Sequence, residues 1–269
     1  MDASTFSRFC SIAYEKAGIT LGPTKEALVA ARVGKRLRAL GLSSEREYLA
    51  KLEDDKTGEE TVQFLDVIST NHTAFFREPD HFELLHKLVA DWHREGLRRL
   101  RIWSAASSTG EEPYSIAFTL TEMAEAGEMD WRILATDIST QVLKKAEAGR
   151  FCAERLASFD HGARRRYFER VPKSDDAVVR AVLRDRIAFR RLNLAEPPYP
   201  MRGPFDIIFC RNVMIYFDQA VRQRLISAME RLLRPGGYLL IGHSEALSGI
   251  QLGLRMLRPS VFLQPGNRA

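Results

Sequence analysis

The sequence predicts an α/β protein: a mostly parallel sheet with helices on both faces, preceded by a small all-helical domain. Three observations carry that prediction. From about residue 98 onward, short apolar strand patterns alternate with amphipathic helix patterns. Residues 5–90 show helical periodicity and no strand pattern. A single glycine, Gly110, lies between the first strand pattern and the helix after it, where folds of this class place their ligand loop. At 269 residues the chain is long enough for a domain of ~170–200 residues and a smaller one beside it.

The helical part reads in four pieces. Phe6, Phe9, Ile12 and Ala13 recur at helical spacing, and a second helix runs from Lys25 to Leu40 until Gly41 stops it. "SSEREYLAKL" opens a third with Ser44 three residues before Glu47, a capping pattern. "ETVQFLDVIST" forms a fourth, ending near Asn71. We expect a helical domain over residues 1–75, a linker helix over 76–97 and the α/β domain over 98–269. There "LRRLRIWSA", "WRILATDIS", "RIAFRRLNL", "FDIIFCRNV" and "YLLIGHSE" are strands. Segments 112–126, "TQVLKKAEAG" and "AVRQRLISAMERLL" are helices, and "LRMLRPSVFLQ" is a last strand or hairpin. Residues 150–185 fit the alternation poorly, so a small β insertion is expected at about 168–188.

Composition excludes several classes. No run approaches the ~18 apolar residues of a membrane span. "MDASTFSRFC" lacks the basic start and apolar core of a signal peptide, so a cytoplasmic protein is expected. Cys10, Cys152 and Cys210 are widely separated and odd in number, which reads as reduced thiols, neither a disulfide frame nor a zinc site. The six histidines show no metal-ligand spacing, so no metal is expected, and His86 and His93 read as surface residues. The net charge of +5 is compatible with an acidic partner or with nucleic acid and decides neither.

The loop "SAASSTGEEPYSIA" carries Glu111 and Glu112 where a phosphate site would present bare backbone N–H groups. Two carboxylates within ~4–6 Å of a pyrophosphate would repel it by several kcal/mol, which disfavours dinucleotides. No GKS or GKT follows the glycine, which excludes a P-loop. A cationic ligand without phosphate, such as S-adenosylmethionine with its sulfonium and α-ammonium, fits instead. The alternative is that both glutamates only complement a helix N-terminus. Asp137 ends the second strand, where an acidic group accepts the hydroxyls of an adenosine ribose; as an alternative it caps the next helix. "FCRNVMIYF" presents Arg211, Asn212 and Tyr216 at the carboxyl edge of the sheet, unless it is an ordinary loop. "EPPYP" at 196–200 imitates the [DN]PPY signature of adenine methylation but begins with Glu196 and precedes the strand, so it reads as a connector.

The blocks "NHTAFFRE", "SAASSTGEEPYSIA", "ATDIS", "FDIIFCRNVMIYF" and "GHSE", in this order, resemble the CheR family of chemotaxis receptor methyltransferases. The helical start "YEKAGITLGPTKEALVAARVGKRLRALGL" is similar to their N-terminal domain. The resemblance implies a Rossmann-like S-adenosylmethionine-dependent methyltransferase that esterifies glutamate side chains of methyl-accepting receptors, leaving S-adenosylhomocysteine. By this likeness Asn71, Thr73, Arg77, Glu112, Asp137, Asn193, Leu194, Arg211 and Asn212 bind the cofactor. Glu112 takes its methionine end, Asp137 the ribose, and Asn193 with Leu194 border the adenine. Arg77 and Tyr216 lie near the transferred methyl, and Arg32 and Arg38 meet the receptor's coiled coil. Some relatives grip a receptor C-terminal pentapeptide with the β insertion and others do not, and both cases stay open here. A monomer is expected. Two other readings stand beside this one: a nucleic-acid methyltransferase, which lacks a placed [DN]PPY and an aromatic basic stripe, and a non-catalytic cofactor-binding adapter.

Overall fold

The computed structural model describes residues 1–124 and 129–266. Helices α1 (Ala3–Ala17), α2 (Glu26–Leu40), α3 (Glu45–Glu53) and α4 (Glu59–Ile68) form the helical domain. Several of these helix ends have a local cause. Asp2 accepts the Thr5 N–H and Ser44 the Glu47 N–H, while Gly18 and Gly41 end α1 and α2 in the left-handed conformation. Their apolar stripes meet in a core centred on stacked Phe9, Tyr48 and Phe64. Arg36 joins α2 to α4 through a two-bond contact with Glu60, at 2.9 and 2.8 Å.

Helicity breaks after Ile68. Residues 69–79 form an irregular segment before α5 (Asp80–Arg94), so the expected linker helix is shorter than 76–97. Helix α5 buries Phe82, Leu85 and Val89 in the core of the α/β part. There the chain continues through β1 (Arg99–Ser104), α6 (Glu111–Ala124), β2 (Asp130–Asp137) and α7 (Thr140–Ala148). The last two residues of the expected helix 112–126 lie outside the described residues. A small antiparallel sheet follows, built of β3 (Arg150–Phe151), β4 (Phe168–Arg170) and β5 (Ala177–Val179), with α8 (His161–Tyr167) between its first two strands. After α9 (Ala181–Arg184) come β6 (Ile187–Arg191), β7 (Phe205–Cys210), α10 (Gln219–Leu232), β8 (Leu233–Ile241), β9 (Arg255–Arg258) and β10 (Val261–Leu263). The small sheet therefore starts eighteen residues before the expected 168, and residues 187–188 belong to the main sheet. A two-residue strand such as β3 carries no periodicity of its own.

The main sheet has the order β6-β2-β1-β7-β8-β10-β9, parallel from β6 to β8 and closed by the antiparallel β10 and β9. Strand order reverses at β1, whose neighbours are β2 on one side and β7 on the other. Ligands of such sheets lie at the carboxyl ends of the strands flanking that reversal. Phe205–Cys210 is buried throughout, as expected of a strand covered on both faces. The "EPPYP" connector packs into the core: the Tyr199 ring lies 5.6 Å from Trp103 and its hydroxyl donates to the Leu194 carbonyl.

Candidate functional site

One cavity opens at the carboxyl ends of β1, β2 and β7, and its lining includes Glu112, Asp137, Arg211 and Tyr216. Its far wall comes from the helical domain, through Ala17, Ile19, Thr20, Leu21, Lys25, Leu28 and Ile68, and from residues 69–74 and 77. The backbone around it is forced into unusual shapes. Phe76, Glu78, Ser108 and Asn212 all have positive φ, between 47° and 58°. Non-glycine residues adopt that region at a cost of order 1–3 kcal/mol, typically at functional sites.

The loop after β1 turns at Gly110, with φ +101°, where a Cβ would come within 3.0 Å of Ala146 on α7. That close approach sets α6 against the β2–α7 unit. Glu112, in the first turn of α6, faces the cavity and accepts the Ser104 hydroxyl at 2.7 Å. Glu111 points away, bonded to Thr109 at 2.6 Å and 3.6 Å from Arg155. Asp137 accepts the Ser108 N–H at 2.9 Å on one oxygen and the Ser139 N–H at 3.0 Å on the other. It thereby ties the β1 and β2 loops together, and burial pushes its carboxyl up against those two donors.

The Arg211 side chain is 2 % exposed and is shared between two carboxylates, at 3.1 Å from Glu112 and 3.1 Å from Glu78. It also donates to the Arg77 carbonyl and stands over the Phe82 ring at 5.7 Å. Burial works against the charge of Glu78, but Arg211 overrides it and holds that carboxyl below its ordinary value. At Glu112 burial wins and pushes the carboxyl up, although Arg211 opposes it. With its donors committed in this way, Arg211 shapes Glu112 and stiffens segment 77–78. Phe75 anchors that segment in a nest of Phe118, Phe151, Phe159 and Phe168, and the exposed Arg77 donates to the His72 carbonyl at 3.2 Å.

His81 adds a pH dependence. It is wholly buried, with Nε2 2.9 Å from the Ser260 hydroxyl and Nδ1 3.5 Å from Glu78. Burial and the nearby Arg211 lower its pKa from 6.5 to about 4. The unfolded chain takes up this proton near 6.5 and the folded chain only near about 4, so acidification through that window favours unfolding. We expect stability to fall by roughly 3 kcal/mol at most between those limits, and His81→Gln to flatten this slope in urea titrations run at several pH values.

Two family descriptions match the chain: "CheR methyltransferase, all-alpha domain" over residues 4–69 and "CheR methyltransferase, SAM binding domain" over residues 71–261. The chain belongs to the CheR methyltransferase family. The chemotaxis protein methyltransferase of Escherichia coli K12 is 42 % identical over 259 residues, covering 96 % of this chain and 89 % of that protein. Chemotaxis protein methyltransferase 2 of Pseudomonas aeruginosa is 46 % identical over 237 residues, covering 86 % and 82 % respectively. The one from Borreliella burgdorferi is 36 % identical over 263 residues, covering 95 % and 92 %. The likeness expected from the five motif blocks is thus borne out, together with the fold class and the S-adenosylmethionine cofactor. The donor set fits that cofactor: cationic and hydroxyl-bearing groups suit Glu112 and Asp137, and among the described residues no P-loop stands here.

In this CheR family member the cavity gathers Asn71, Thr73, Arg77, Glu112, Asp137, Asn193, Leu194, Arg211, Asn212 and Tyr216. It does not gather Arg32 or Arg38. Arg38 is exposed on α2. Arg32 turns inward, donating to the carbonyls of Ile68 and Ser69 and to Thr70 Oγ1 at 3.2 Å. It satisfies the end of α4 and holds the start of segment 69–79. Asn193 has a second task, since its Nδ2 donates to the Lys16 carbonyl at 2.8 Å and ties the α/β part to α1. Sequence reasoning gave no role to Glu78, although "NHTAFFRE" contains it, nor to Ser104, Ser108 or Lys25. Among the described residues no helix is long and apolar enough to cross a membrane.

Proposed function

We propose that this CheR methyltransferase esterifies glutamate side chains in the cytoplasmic coiled coil of methyl-accepting chemotaxis receptors. The observation that carries the reading is the charge arrangement of the cavity. Glu112 and Asp137 favour a cationic, ribose-bearing cofactor, while Arg77 and Tyr216 line the same cavity. The cofactor supplies an electrophilic methyl on a sulfonium. Glu112 holds its methionine end, Asp137 its ribose, and Asn193 with Leu194 border its base. A substrate glutamate, with a pKa near ~4.3, is already ionised at neutral pH and needs no general base. The tasks left to the chain are to aim that carboxylate and to exclude water. Arg77 and Tyr216 take the aiming role, because Arg211 is engaged by Glu78 and Glu112.

Radiolabelled methyl transfer tests this reading on receptor-rich membranes, tRNA and DNA offered side by side. Base-labile label on a receptor is the expected result. Label on nucleic acid would mean that the substrate is wrong, and tight cofactor binding with no label would favour an adapter. Tyr216→Phe is expected to lower kcat about tenfold with cofactor affinity kept, and an unchanged rate would remove Tyr216 from the mechanism. Docking falls to the exposed face of α2, which carries Lys35 and Arg38. Arg38→Glu should therefore raise the receptor KM by about tenfold without touching cofactor affinity. Arg32→Glu should disturb both, because Arg32 braces the cavity wall. The small sheet supplies edges to which an extended receptor tail can add, and titration with C-terminal receptor pentapeptides measures that contact.

A further inference from the structure

The parallel ladder between β7 and β8 stops at the pair Cys210–Ile241. Beyond it the two strands diverge into the turns that carry Arg211 and Asn212 on one side and Gly242–Glu245 on the other. Asn212 has φ +58°, which no longer presents its N–H to a neighbouring strand. The donors past that point are taken up by a single side chain. Glu245 Oε2 accepts the Asn212 N–H at 2.9 Å and the Gly242 N–H at 2.7 Å, and Oε1 accepts the Met214 N–H at 2.7 Å. Glu245 is 9 % exposed, and among the described residues no cation lies within ion-pair distance of it. Backbone donors, these three and the Val213 N–H, oppose the upward push of burial on its carboxyl, a task for which an acceptor-only group is suited. Gly242 keeps the path open: a Cβ there would lie 2.5 Å from Asn212 Nδ2 and 2.9 Å from Glu245 Oε2. Glu245 itself is absent from the cavity lining, whereas Arg211, Asn212, Val213 and Tyr216 are all part of it.

We infer that Glu245 is a positioning residue: its carboxylate fixes the backbone of residues 212–214 and so sets where Arg211, Asn212 and Tyr216 stand in the cavity. The inference deepens the reading of this cavity as the cofactor site and rests on it. A carboxamide at this position offers one acceptor oxygen and turns an N–H donor toward backbone donors, so at least one of the three bonds becomes a donor–donor clash. Glu245→Gln should bind S-adenosylmethionine and S-adenosylhomocysteine about tenfold more weakly, both by the same factor, with a receptor KM changed by less than about twofold. The equal loss marks positioning, because only the first ligand carries the sulfonium charge.

Calorimetric titration of both ligands reads this directly. Unchanged affinities would overturn the inference, and so would a loss confined to S-adenosylmethionine, which would make Glu245 an electrostatic partner of the sulfonium. Gly242→Ala presses on the same contact from the other side and should give the same equal loss. Amide hydrogen exchange in the unaltered protein supplies a readout that needs no variant. Asn212 and Met214 should be protected, and exchange at the rate of an open loop would overturn the clamp. If the unaltered protein bound neither ligand, the cofactor reading would fall first, and the exchange result would still stand on its own.

Discussion

Arg211→Met is expected to cost about 3–5 kcal/mol of stability and to abolish measurable cofactor binding. Methionine fills much of the same space but leaves Glu112 and Glu78 facing a buried region with no cation between them. Neither carboxylate then has an arginine partner, the neutral donors Asn212 and Ser104 being left to meet them, and each disfavours ionisation of the other. The pH dependence should distinguish this cause from a packing defect. Their carboxyl pKa values in the folded variant would lie above the unfolded ones, so the penalty is present at neutral pH and relieved as pH falls through the raised values. Acidification should thus narrow the gap between variant and parent in urea titrations. A constant gap from pH 7 to about 5 would show that lost packing, not uncompensated charge, sets the cost.

Glu112→Gln should weaken S-adenosylmethionine and S-adenosylhomocysteine equally, by about thirtyfold, while costing little stability. The carbonyl oxygen of glutamine can still accept from Arg211 while its amide donates to the Ser104 hydroxyl, so both local contacts survive with the second reversed. What disappears is the negative charge assigned to the α-ammonium, which the cofactor and its product both carry. A ligand without the amino-acid end, such as 5′-methylthioadenosine, should be indifferent to the change. If its affinity fell by the same factor, Glu112 would be acting on the adenosine half and the assignment along the cavity would be reversed. Together the two substitutions separate the holder from the held: Arg211 acts on stability and binding, Glu112 on binding alone.

The parts of this site legible in the sequence without the family likeness share one property, that each lies where a strand ends or the next helix begins. Asp137 closes β2, Arg211 follows β7 directly and Glu112 opens the helix after β1, and a strand-then-loop reading finds such positions locally. The parts that were not legible depend on pairs far apart in the chain. Glu78 gains its role from Arg211, 133 residues later. The basic stretch "RVGKRLRAL" reads as one charged face, yet Arg32 is turned to carbonyls 36 and 37 residues away while Arg38 stays in solvent. Helical periodicity assigns a residue to a face and says nothing of which long side chain folds back from it. The break at 69–79 escaped for a related reason. Its conformation is set by Phe75 in the aromatic nest and by Phe76 N–H donating to Ser115, contacts made with another domain.

The wall that the helical domain contributes to the cavity has a thermodynamic consequence. Asp66 on α4 accepts both the N–H and the hydroxyl of Thr140 at the start of α7, and the Thr20 N–H donates to the Tyr216 carbonyl. A ligand filling the cavity therefore rests on both domains at once, and part of its binding free energy becomes adhesion between them. Linkage makes this reciprocal: whatever loosens the helical domain lowers affinity for the cofactor by the same factor that the cofactor tightens the domain. On the proposed docking to α2, whose Leu28 lines the cavity, a receptor helix would act on an element of the cofactor's own enclosure, and loading of methyl donor and grip on the receptor would then share one equilibrium.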